Sequence, residues 1–332
     1  MVFHPLVIAL YVSSLLTCLM VLYATFFGVQ ILRRWDISSG SELQLSLERK
    51  TYLISTLLTY LLGFGLLSLF LYVFTVDRLH PFFVGAMCAA GSLYVNGYGY
   101  PTLVLKLINF LLAGIWLILN YVDNRGYDYP LIKKKYSLLW LMSPLFSAEM
   151  SLQANYFLRL RPDIITSCCG TLFDSGGKDL ASGIASLPGL PMNVAFFLSI
   201  FLTMTAGIYF YRYGHGGYLF GGLSGLTFVV SLLSIFSFIS LYVYELPTHH
   251  CPFCILQREY GYIGYPLYLA LFGSGITGMG TGILMPFRGI ASLAEAVPSI
   301  QKRLVLASLV LLFLFTTLVT YCIMSSNLIL AG

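Results

Sequence analysis

The chain has 332 residues, 58% of them hydrophobic and 9% charged, with a mean hydropathy of +0.85 and a formal net charge of +5. A soluble domain carries about 25% charged residues, so composition alone excludes an ordinary water-soluble fold. The positive balance comes from basic loops that would anchor a membrane protein, and it calls for no nucleic-acid partner.

Long apolar runs fall at roughly 5–32, 52–76, 101–122, 136–158, 192–212, 218–244, 261–286 and 304–327. Each is long enough to cross a ~30 Å hydrocarbon core as a helix. Lipid offers the backbone no hydrogen bonds, and runs of this length satisfy their own only as helices. The predicted fold is therefore an all-α, polytopic membrane bundle of about eight helices. The first run is too long and too aromatic for a cleavable signal peptide, and Arg33-Arg34 follows it as a stop-transfer flank would, so it is expected to be retained.

Charge orients the bundle. Arg33, Arg34, Arg49 and Lys50 lie between runs one and two, and Arg125, Lys133, Lys134 and Lys135 between three and four. Arg212 ends run five, and Arg288, Lys302 and Arg303 lie between seven and eight. The alternate loops are poorer in basic residues. The positive-inside rule then puts both termini outside, with a bacterial inner membrane as the expected setting. In that orientation Cys88, Cys168, Cys169, Cys251 and Cys254 all fall in or beside the outer loops, facing an oxidising periplasm.

Three regions follow: a first membrane half over 1–158, an outer loop over 159–191 carrying Cys168-Cys169, and a second half over 192–332. The halves resemble each other. His80-Pro81-Phe82-Phe83, then Cys88 and Gly99-Tyr100-Pro101, is echoed by His250-Cys251-Pro252-Phe253-Cys254 and Gly264-Tyr265-Pro266. That pattern suggests a 4+4 parallel duplication. The two Gly-Tyr-Pro triplets read as helix starts, since proline suits the first turn.

The most informative stretch is His249-His250-Cys251-Pro252-Phe253-Cys254-Ile255-Leu256-Gln257-Arg258. Two cysteines separated by two residues at a helix start can close a small disulfide, and a nearby cation stabilises the attacking thiolate. Arg258, one turn beyond Cys254 on the seventh span, would stabilise that thiolate or polarise a quinone carbonyl. The plainer alternative is a snorkelling arginine beside a structural disulfide.

Cys251 to Arg258 resembles the first cysteine motif of the DsbB-type quinone-coupled thiol oxidases, over about 30 residues. In that family a Cys-x-x-Cys pair with an arginine four residues later opens the second helix of a four-helix bundle. The resemblance implies that Cys251 and Cys254 exchange electrons with a quinone that Arg258 contacts. The family's downstream second pair has no counterpart here beyond Cys322. Cys168 and Cys169 could substitute as a shuttle to a periplasmic thiol protein, although a disulfide between neighbours is strained. Tyr260 and Tyr262 are candidate walls of a quinone pocket.

Metal binding is the rival reading. His249, His250, Cys251 and Cys254 are soft ligands suited to copper or zinc, and Cys-x-x-Cys spacing alone does not choose. A third option is a non-catalytic anchor for the subunits of a respiratory complex. Separately, Lys106 and Glu149 stand in apolar runs, with Asn109 and Gln153 on the same helix faces. They are candidate partners, as a proton or ion path or as a structural lock.

Overall fold

The computed structural model describes residues 3–37, 39–162, 164–166 and 189–328. Helices form at all eight predicted positions, and no strand forms among the described residues. They are α1 (Pro5–Arg34), α2 (Glu42–Leu79), α4 (Gly99–Asp123), α5 (Ile132–Leu158), α6 (Gly189–Tyr213), α7 (Gly217–Tyr244), α8 (Gly264–Ile283) and α9 (Ala296–Ser325), with a short α3 (Ala89–Tyr94) after α2. Seven of the long helices are long and apolar enough to cross a membrane, which makes this a multi-pass membrane protein. The exception is α5. Its three lysines at the start, with Glu149, Gln153 and Pro144 further along, hold its hydropathy below that of its neighbours.

The helix ends follow local chemistry. Pro5 opens α1, whose N-cap His4 accepts a hydrogen bond from the Leu6 amide, and Arg33 and Arg34 occupy its last turn. Gly99 and Gly264, each followed by Tyr-Pro, start α4 and α8. Within α7 the chain makes one π turn over Ile235–Ile239, then ends at Tyr244 because Glu245 takes a left-handed conformation (φ 55°).

The chain divides into two compact units. Unit 1 holds residues 1–79, 93–162 and 289–297, and unit 2 holds 80–92, 163–288 and 298–332. The connection His80–Ser92 thus belongs to unit 2, although it follows the second helix of the first half.

In unit 1, α1 packs on α2 and α5, and α4 packs on the same two helices. Leu58, Leu62, Trp116, Tyr136, Leu139 and Met142 fill the interior. Buried charges here are paired: Lys106 Nζ lies 2.7 Å from Glu149 Oε1, and Lys135 Nζ lies 2.7 Å from Asp123 Oδ2. Asp123 also accepts from the Leu131 amide at 2.7 Å, which fixes the α4–α5 turn.

In unit 2, α7 packs on α6 and α8. Small residues let α7 and α8 approach closely: a Cβ on Gly221 would come within 2.8 Å of the Gly282 Cα, and one on Gly278 would collide with the Ser224 side chain. Such contacts replace the hydrophobic drive that lipid does not supply. Helix α9 joins them through Ser308, which donates to the Ser274 carbonyl at 3.0 Å, and through an edge contact of Phe315 with Phe196.

Candidate functional site

The site is built where α7 stops. After Tyr244 the chain turns through Glu245, carries His249 and His250, and enters Cys251-Pro252-Phe253-Cys254 before α8 begins at Gly264. Tyr244 holds this loop at two points. Its hydroxyl donates to the Cys251 carbonyl and accepts from the Ile255 amide at 2.8 Å. Tyr268, one turn into α8, donates to the Pro252 carbonyl at 2.8 Å. Gly264 must be small, since a Cβ there would lie 2.9 Å from both the Ile255 carbonyl and the Leu256 side chain.

The second component comes from the strap His80–Ser92. Val84 makes a parallel bridge with Ile165, with the Thr166 amide donating to the Val84 carbonyl at 2.9 Å. Gly85 then turns with φ 86°, and a Cβ there would run into the Thr166 carbonyl oxygen. The Gln257 side-chain amide donates to the Met87 carbonyl at 2.9 Å, tying the strap to the cysteine loop one residue before Cys88.

Cys88 Sγ therefore lies 3.5 Å from Cys251 Sγ, and Cys88, Cys251 and Cys254 place their sulfurs within 4.8 Å of one another. All three are buried, with exposures of 0%, 0% and 5%. His249 Nε2 stands 3.4 Å from Cys254 Sγ, and its ring packs edge-on against Tyr244 at 4.5 Å. Burial lowers the His249 pKa from its ordinary value, with the Cys88 sulfur acting in the opposite sense. The result favours the neutral imidazole, the form that binds a metal. Burial, and then Cys254, raises the Tyr260 phenol, keeping it protonated.

Three sulfurs at this spacing suit three corners of a tetrahedral soft-metal site, with the His249 imidazole beside Cys254 but outside the 4.8 Å group. With Zn–S bonds of about 2.3 Å, ligand sulfurs sit about 3.8 Å apart. The 3.5 Å separation of Cys88 and Cys251 is close to that edge.

Other predicted residues are placed differently. The helix start expected at the Cys-x-x-Cys pair is instead two short 3-10 turns, Cys254–Leu256 and Arg258–Tyr260, separated by an extended Gln257 (ψ 162°). Arg258 is exposed and lies outside α8, so it does not share a helical face with Cys254. The cause is local: Gly261 and Tyr262 both take positive φ, which breaks any continuous helix before Gly264. Tyr260 is half-buried, its ring 4.7 Å from that of Tyr244, while Tyr262 is exposed. His250 turns Nδ1 to the Phe236 carbonyl in the π turn, at 2.9 Å. Cys168 and Cys169 lie outside the described residues. Lys106 and Glu149 meet in unit 1, where Asn109 donates to the second carboxylate oxygen at 2.6 Å.

The residues that sequence reasoning did not select are Cys88 and Tyr244. Cys88 had a signal, the echo between His80-Pro81-Phe82-Phe83…Cys88 and the Cys251 segment. Tyr244 had none beyond its place at the end of an apolar run. No family model, curated protein or solved structure matches the chain.

Proposed function

We propose that this is a metal-binding membrane protein whose second unit holds one soft ion, zinc or copper(I), on Cys88, Cys251 and Cys254 with His249 as the fourth ligand. The observation that carries this reading is the convergence of three buried cysteine sulfurs within 4.8 Å from two distant segments. A soft cation replaces their protons, which leave to bulk water, and the thiolates become its ligands. Burial supports retention of the ion over rapid exchange, because structural sites are closed and catalytic ones keep an open position. It also shields Cys88 and Cys251 from attack by an external thiol. The basic-residue pattern of the loops supports a reading in which this end of unit 2 faces the outer side of a bacterial inner membrane.

A second reading, thiol–disulfide exchange with a membrane quinone, is favoured by the 3.5 Å approach of Cys88 to Cys251 beside Cys254, a geometry for passing a disulfide among three sulfurs. One preparation separates the two. Anaerobically purified protein is assayed for metal by mass spectrometry and for dithiol-dependent quinone reduction. Metal binding predicts about one equivalent of zinc or copper per chain, abolished in C88S, with no quinone reduction above the C254S control. Metal-free protein that reduces quinone, and loses that activity in C254S, would replace the first reading with the second.

A further inference from the structure

Unit 1 contains a small polar cavity beside the Lys135–Asp123 pair. It measures about 20 Å³, and Glu48, Thr51 and Ser55 of α2 line it together with Lys135 of α5. Trp35 and Tyr129, from the connections that follow α1 and α4, also line it, and their rings meet edge-on at 6.5 Å. Helices α1 and α4 each pack on both α2 and α5, so α2 and α5 stand diagonally opposite in the unit.

Three buried hydroxyls gather here. Thr51 and Ser55 are one turn apart on α2, and the Tyr136 hydroxyl of α5 lies beside both. All three residues are buried, yet none of their hydroxyl oxygens has a hydrogen-bond partner among the described residues. A buried hydroxyl is costly when unbonded, so a cluster of them beside a polar cavity marks a place for a molecule that bonds several at once. Lys135 adds a donor. Its ammonium pairs with Asp123 Oδ2 at 2.7 Å and donates to Asn120 Oδ1 at 2.9 Å, which uses two of its three N–H groups.

We infer that this cavity binds a single water molecule, which joins the Thr51 and Ser55 hydroxyls of α2 to Tyr136 and Lys135 of α5. Size sets the ligand: a water needs about 10–15 Å³ of such volume and several polar partners, and both conditions hold. A larger solute does not fit. Charge disfavours an ion of either sign. Lys135 and Glu48 both line the cavity, so a cation meets the ammonium and an anion meets the carboxylate. The hydrogen bonds also close. The water accepts from the third N–H of Lys135 and from one hydroxyl, and it donates to the other two hydroxyl oxygens. It thereby ties the ion pair carried by α4 and α5 to the opposite helix α2.

The direct test is the structure of the detergent-purified full chain at a resolution that shows ordered waters. A density peak is expected about 2.7–3.2 Å from Thr51 Oγ1, Ser55 Oγ and Lys135 Nζ, and a map without it overturns the inference. Thermal melting gives an independent sign. Thr51→Val and Tyr136→Phe each delete one hydroxyl with little change of shape. With a bridging water, each variant removes a partner and lowers the melting temperature by about 2–4 °C. The double variant then loses less than the sum of the two, because both changes act on one molecule. Hydroxyls that bond nothing give the reverse. Each variant then melts at or above the wild-type temperature, since an unsatisfied buried group has been removed, and that result also overturns the inference.

Discussion

The two units solve the burial of polar chemistry in different ways. In unit 1 each buried anion has its cation built in, as Glu149 with Lys106 and Asp123 with Lys135. The helices are joined by these pairs and by side-chain hydrogen bonds such as Asn120 Nδ2 to Thr59 Oγ1 at 3.0 Å. In unit 2 the long helices approach through glycine and serine, and the reactive groups gather at the helix ends as thiols and a neutral imidazole. The difference teaches where polar chemistry is neutralised internally. Unit 1 balances its buried carboxylates with its own lysines, whereas under the metal reading proposed above the sulfur group of unit 2 would exchange its protons for a cation.

The sharpest way to break the contrast is to remove one charge from unit 1. Asp123→Ala leaves Lys135 buried without its carboxylate and the Leu131 amide without its acceptor, at an expected cost of about 3–5 kcal/mol. Adding Lys135→Met should recover more than half of that loss, read by thermal melting in detergent. If the double variant is no better than the single, the pair is not what stabilises the α4–α5 turn. A smaller effect is expected at the α7–α8 contact. Gly278→Val forces a branched side chain into the Ser224 contact and should cost about 1–3 kcal/mol, with little change in unit 1 helix protection by hydrogen exchange. A uniform loss across both units would mean that they do not respond separately.

At the site, Cys88→Ser and chelation probe the same property. A strong chelator should lower the melting temperature of wild type and leave C88S unmoved. Equal sensitivity of the two would remove Cys88 from the ligand set. Tyr244→Phe gives the smallest change. It deletes the hydroxyl that bridges Cys251 and Ile255, for about 1 kcal/mol of stability. It should also weaken metal retention about 10-fold, as loss of a residue that positions ligands does. Unchanged retention in a competition assay would make Tyr244 a purely structural clasp.

Much of the fold was legible because membrane helices announce themselves. A run of apolar residues has one way to satisfy its backbone in lipid, so all eight helices form where the runs lie. The Gly-Tyr-Pro triplets gave the starts of α4 and α8 for an equally local reason, the preference of proline for the first turn. The site was less legible. Cys251 and Cys254 stood out by spacing, but the turn around Arg258 depends on Tyr262, a non-glycine residue at positive φ that no pattern marks. Cys88 is harder still. Its position is set by a bridge to Ile165, the turn at Gly85 and a hydrogen bond from Gln257, contacts between segments far apart in sequence. Composition carries no record of those. Even α5 departs for a physical reason: a helix that turns polar groups toward its packed neighbours α1 and α4 has less need of an apolar surface there than one that faces lipid.

The contact between Cys88 and Cys251 joins positions 163 residues apart. During synthesis the strap bearing Cys88 emerges long before Cys251 and Cys254, which follow only after α7 has been threaded. A chain arrested before the loop between α7 and α8 carries Cys88 without Cys251 and Cys254, and one that has passed it can close this long circuit. Closing so long a loop costs only slightly more entropy than closing a short one, since the penalty grows with the logarithm of length. The late meeting of these sulfurs is thus thermodynamically mild, and its timing is fixed by the order in which the helices enter the bilayer.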